Sequence, residues 1–115
     1  MNISDVPMAS VTDLPADRLS LLDVREHDEW AAGHAPEALH IPLRDLPAQL
    51  DELAKLPDDQ PLYVICRTGG RSAQAAAWLN ANGWDAVNVA GGMKSWHTEG
   101  RPLVSDREGA APEVL

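Results

Sequence analysis

The stretch Leu62-Tyr63-Val64-Ile65-Cys66-Arg67-Thr68-Gly69-Gly70-Arg71-Ser72 holds the pattern that decides the fold. Its first part, Leu62 to Ile65, is apolar without alternation, which reads as a strand buried on both faces. A polar, glycine-containing loop follows. The Ala-rich stretch 72–82 then reads as a helix, with Ser72 as its capping residue and Gly83 where a left-handed stop is needed. Two more apolar runs, 19–24 and 86–89, resemble 62–65; 39–41 adds a short strand and 6–11 an edge strand. Between them lie helical patterns at 26–32 and after Asp45, where Leu46, Leu50 and Leu53 recur three or four residues apart and Pro47 falls in the first turn. A last short helix follows Gly92. Strands alternating with helices predict a single α/β domain with a mostly parallel, five-stranded central sheet flanked by helices. In such sheets ligands bind beyond the carboxyl ends of the strands, so the site is expected where Asp23-Val24-Arg25, the loop 66–72 and Gly91-Gly92 meet.

The 115 residues, 44% of them hydrophobic, suit one compact core. A formal charge of −9 has the wrong sign for holding nucleic acid or anionic membranes, and neither partner is expected. The charge is unevenly laid out. Residues 60–98 carry Arg67, Arg71 and Lys94 against Asp85 alone, a local balance of +2 inside an otherwise acidic chain. No run of about 18 apolar residues is present, and 1–10 lacks the basic start and apolar core of a secretory signal, so a cytoplasmic protein is expected. The stretch 104–115 is small, polar and aperiodic, and reads as a mobile tail. No dinucleotide or P-loop pattern occurs, and His27, His34, His40 and His97 lack metal-ligand spacing, so no cofactor or metal is implied. Turn hydrogen bonding is the expected role of His34. Four tryptophans supply bulk in a chain without phenylalanine, with Trp30 or Trp96 at the pocket mouth.

Cys66 is the chain's one cysteine. It excludes an internal disulfide and a multi-thiolate metal site. The six residues after it combine two Arg, two Gly and two hydroxyls before a helix begins. Glycines let successive N–H groups turn inward as an anion nest, and the positive helix end points into the same space. With Arg67 and Arg71 adding charge, Cys66 is expected to titrate below the free-cysteine value of about 8.5 and to act as a nucleophile. The competing reading is a small buried hydrophobe at a strand end. Arg67 and Arg71 read otherwise as surface charges, Ser72 is accounted for by a helix cap, and Asp23 reads as a turn residue that frames the pocket or pairs with Arg25.

These residues together resemble a single-domain rhodanese, over about 21–96. Leu22-Asp23-Val24-Arg25-Glu26 is similar to that family's first signature, Gly33-His34 through Ile41-Pro42 to its second, 66–72 to its active-site loop, and Gly91-Gly92-Met93 with Trp96 to its closing motif. The chain departs from the pattern at Ala35, where Ile is usual, and at Glu37, where Gly is usual. The resemblance implies a rhodanese-like domain over 1–103. It implies a sulfurtransferase in which Cys66 takes a sulfane sulfur from a small anionic donor such as thiosulfate, becomes a persulfide, and passes the sulfur to cyanide or a thiol. Cys66 is then the catalytic residue, and Arg67, Thr68, Gly69, Gly70 and Arg71 bind the substrate. The second loop cation, Arg67, favours a sulfonate donor. Without a resolving cysteine the sulfur leaves to an outside acceptor. One alternative is a relay module that hands persulfide sulfur between protein partners, with a protein as the acceptor. A cysteine phosphatase or arsenate reductase is less favoured, because those loops place Arg after five intervening residues and Cys66 to Arg71 has four.

Overall fold

The computed structural model describes residues 3–115. In chain order it contains β1 (Met8–Ser10), β2 (Leu21–Asp23), α1 (His27–Ala32), β3 (Leu39–His40), β4 (Leu62–Ile65), α2 (Gly70–Ala81), β5 (Ala86–Ala90) and α3 (Gly92–Thr98). The five strands form one sheet in the order β1-β5-β4-β2-β3, and every pairing is parallel. The sheet is thus wholly parallel rather than mostly so, with β4 at its centre. Among the described residues no helix is long and apolar enough to cross a membrane.

The apolar runs fail to alternate because both sheet faces are covered. Leu22 and Val64 pack with Ala75, Ala76 and Leu79 of α2 on one face, while Leu21 and Ile65 pack with Met93 and Trp96 of α3 on the other. Adjacent strand residues point to opposite faces, so each must be apolar. The Leu46-Leu50-Leu53 periodicity does bury Leu46 and Leu53 against the α2 face, yet the backbone there forms two 3₁₀ helices, Leu43–Ala48 and Leu50–Lys55. Pro47 lacks the N–H for an α-helical bond to Leu43 and its ring excludes that carbonyl; Gln49, at φ −125°, then interrupts the run. Trp96 is fully buried, its indole N–H donating to Pro102 O at 2.8 Å, so it belongs to the core and not to a pocket mouth.

The departures from the family pattern are absorbed locally. Ala38 N–H donates to Ala35 O across a turn with Pro36 and Glu37 at its centre. Among the described residues positive φ outside glycine occurs only at Arg18, so this turn needs no glycine at Glu37. Ala35 is fully buried in the α3-side core.

At the end of β2 an ion pair is sealed inside the protein. Arg25 Nη2 meets Asp23 Oδ2 at 2.8 Å, and neither side chain is exposed. The Arg25 guanidinium also donates to Gly33 O at 2.8 Å and Glu29 O at 3.3 Å, tying the strand end to α1. Of the two roles foreseen for Asp23, the pairing with Arg25 is the observed one, and both side chains are fully buried. Residues 104–115, read from composition as a tail, run back along α1. Val104 and His34 exchange both backbone hydrogen bonds, and the N–H groups of Asp106 and Glu113 donate to Ala31 O and Ala32 O, satisfying carbonyls that a helix end leaves open. Because the Asp23–Arg25 pair is buried and fully bonded, removing one partner strands the other charge. Arg25→Ala should cost about 3–5 kcal/mol, read as a lower urea midpoint.

Candidate active site

Cys66 leaves the central strand at its carboxyl end, and its sulfur is tucked beneath the loop that follows, with the residue only 1% exposed. Gly69 N–H donates to Sγ at 3.1 Å and the Ser72 hydroxyl lies 3.2 Å from it. Three of the loop's carbonyls are held from outside it while its N–H groups turn to sulfur. Cys66 O accepts from Met93 N–H at 2.8 Å, Arg67 O from Lys94 N–H at 3.1 Å, and Gly69 O from Asn88 Nδ2 at 3.1 Å. The first turn of α3 thus grips the loop from behind. That grip needs a glycine, since a Cβ on Gly92 would lie 2.4 Å from Cys66 O and its φ is +56°. Gly69, at φ +118°, turns the chain into α2; Gly70 is the first helical residue and a Cβ there would meet open space.

Burial pushes the Cys66 thiol up, but hydrogen bonds from the Ser72 hydroxyl and the N–H groups of Ser72, Gly69 and Thr68 outweigh it and hold the thiol below its ordinary range. The expected depression is present, and its source is hydrogen bonding. The two arginines are otherwise engaged. Arg71 forms a two-pronged pair with Glu29 of α1, at 2.7 and 2.9 Å. Glu29 Oε1 also accepts Glu26 N–H at 3.0 Å, so this one carboxylate closes the start of α1 and fastens it to α2. Arg71 in turn has its pKa raised, chiefly by that hydrogen bond. Arg67 is exposed and its Nε donates to Leu115 O at 2.7 Å. Thr68 is exposed at the loop's outer edge.

The predicted segments do converge: the ends of β2, β4 and β5 and the Gly91-Gly92 turn surround the cysteine loop. Ser72 corrects the sequence reading. Helix α2 begins at Gly70 with Gly69 as its cap, which puts Ser72 at the third helical position. From there its side chain leans back over the preceding loop, and the hydroxyl meets Cys66 Sγ and Asn88 Oδ1. Asn88 and Glu29 were also missed. A polar residue inside the apolar run 86–89 marks Asn88, because a buried amide requires partners; the Glu29 pairing spans 42 residues and leaves no local trace. The Trp30 ring stacks on His34 and on His40, with centroids 3.6 and 4.7 Å away. His34 makes the foreseen turn contact, Nδ1 to Ala35 O at 3.0 Å, and pairs through Nε2 with Asp106.

The Rhodanese-like domain family matches residues 9–99. The chain belongs to this family. It is 38% identical over 104 residues to the putative sulfurtransferase YtwF of Bacillus subtilis, covering 89% of this chain and 98% of that protein. It is 33% identical over 106 residues to a sulfurtransferase of Allochromatium vinosum, covering 90% and 96%. The crystal structure of a rhodanese-related protein from Thermoplasma volcanium superposes with a TM-score of 0.75 at 34% identity, over 85% of this chain and 97% of that one. The family match over 9–99 takes in the cysteine loop, Glu29, Asn88 and the α3 grip, while 104–115 lies beyond it.

Arg71 holds Glu29 well below the ordinary carboxyl value of 4.5, at about 2. A carboxylate depressed on folding contributes stability that is complete above its unfolded pKa and lost as pH falls towards the folded one. Between about pH 4.5 and 2 the protein should therefore lose stability partly through Glu29. Glu29→Gln should cost roughly 1–3 kcal/mol at neutral pH and flatten that acid limb in urea titrations run across the range.

Proposed function

We propose that the chain is a sulfurtransferase working through a Cys66 persulfide, with thiosulfate or a similar anionic sulfane donor. The carrying observation is a buried cysteine sulfur that receives the Gly69 N–H and faces the Ser72 hydroxyl, in a chain with no second thiol. Such a site stabilises negative charge on sulfur without a metal-like cation and lacks a partner for a dithiol cycle. In the first half-reaction the Cys66 thiolate attacks the outer sulfur of thiosulfate. A sulfur–sulfur bond forms to Cys66, and the bond inside the donor breaks with its electron pair leaving on sulfite. In the second, cyanide or a thiolate attacks the outer sulfur, and the Cys66 thiolate departs. Thiocyanate or a new persulfide is released.

The loop residues divide the work. Gly69 and Thr68 present N–H groups to the sulfur, and Gly70 opens α2 without a side chain at the mouth. Arg67, exposed and with its terminal nitrogens not committed to an acid, is the cation that meets the donor's sulfonate. Arg71, neutralised by Glu29, shapes the loop and adds little net charge.

Intact-mass measurement after incubation with thiosulfate, then with cyanide, tests the reading. The expected result is a gain of one sulfur that cyanide removes and that is absent in Cys66→Ser. No adduct, together with hydrolysis of an aryl phosphate, would contradict it.

A further inference from the structure

Ser72 Oγ lies 3.2 Å from Cys66 Sγ and 2.6 Å from Asn88 Oδ1, and one hydroxyl has one proton to donate. The Asn88 amide cannot turn to help. Its Nδ2 lies 3.1 Å from Gly69 O, which can only accept, so Oδ1 faces Ser72 and can itself only accept. Ser72 is fully buried and Asn88 is 3% exposed, which removes bulk water as a substitute partner. With Cys66 as a thiol the row is complete: S–H donates to Ser72 Oγ, and Ser72 O–H donates to Asn88 Oδ1. With a thiolate, the thiol's own proton has gone to solvent and the sulfur calls for the Ser72 proton. If the hydroxyl turns to sulfur, two oxygens without a hydrogen between them face each other across 2.6 Å.

We infer that Asn88 is a positioning residue that competes with the Cys66 sulfur for the single Ser72 proton, restraining stabilisation of the thiolate and keeping it strongly nucleophilic. This rests on the proposed role of Cys66 as the attacking group. Thiolate nucleophilicity falls with basicity at a slope of about 0.4–0.5, so each pH unit of withheld stabilisation keeps the thiolate roughly threefold faster. Once sulfur is loaded, the negative charge sits on the outer atom and Sγ becomes a weakly accepting bridge. The Ser72 hydroxyl then returns to Asn88, and its rotation follows the two halves of the cycle. The charged groups around the loop are Arg67, the Arg71–Glu29 pair, the Asp23–Arg25 pair at the end of β2 and exposed Lys94 at the start of α3. The substitutions below leave all of them in place.

The test is the pH profile of Cys66 alkylation by iodoacetamide in the folded protein, which uses no sulfur donor and so reads this inference separately from sulfur transfer. Asn88→Ala should move the midpoint to lower pH and slow the high-pH plateau about threefold per unit moved. Asn88→Asp, whose carboxylate holds the hydroxyl proton harder, should move the midpoint up. In a Ser72→Ala background, Asn88→Ala should no longer move it down. Loss of a merely structural hold on Gly69 O would loosen the Gly69 N–H to sulfur contact and raise the midpoint. An unchanged or raised midpoint in Asn88→Ala, or the same downward shift without Ser72, overturns the inference.

Discussion

The site depends on turning backbone N–H groups towards one sulfur atom while the carbonyls of Cys66, Arg67 and Gly69 are bonded elsewhere. A peptide that aims its N–H inward must send its C=O outward, and a buried carbonyl without a partner is costly. Met93 and Lys94 N–H take the carbonyls of Cys66 and Arg67, and Asn88 takes that of Gly69. The parallel sheet is what brings these partners together, since β4 and β5 are neighbours and their following turns lie side by side. Gly92 permits the approach.

Around this cradle the ionised side chains act mainly as scaffold. Asp23–Arg25 locks the end of β2 to α1, and Glu29–Arg71 locks α1 to α2. Arg25, through its bonds to Glu29 O and Gly33 O, and the Glu29–Arg71 pair join elements that border the cysteine loop, while each ion pair cancels most of its own field. The positive centre in the charge layout is real as a count of residues, but one of its arginines is neutralised from a distant part of the chain. What remains to meet an anion is exposed Arg67, whose Nε also donates to Leu115 O, and exposed Lys94, in an otherwise acidic protein.

The runs 62–65 and 86–89 were legible because a strand buried on both faces is apolar on both, Asn88 excepted, and the cysteine loop because glycine, arginine and a helix start occur consecutively. Local pattern was less informative where chain geometry competed with it. At 43–55 the leucine spacing suited an α-helix, and Pro47 with Gln49 made 3₁₀ turns of it. Ser72 has the chemistry of a cap and sits three residues past the cap position, so its hydroxyl meets the Cys66 sulfur and Asn88 instead. Contacts such as Glu29 with Arg71 and the return of 104–115 over α1 join residues far apart in sequence, and no periodicity reports them.

Backbone and hydroxyl hydrogen bonds, and not arginine charge, lower the pKa of Cys66 against the effect of burial. Ultraviolet titration of the thiolate in the native protein, with Cys66→Ser as the blank, measures this directly at low and high salt. The midpoint is expected below the free-cysteine value of about 8.5 and should stay put as salt screens the exposed Arg67. A midpoint at or above that value, or one that climbs steadily with ionic strength, would contradict it.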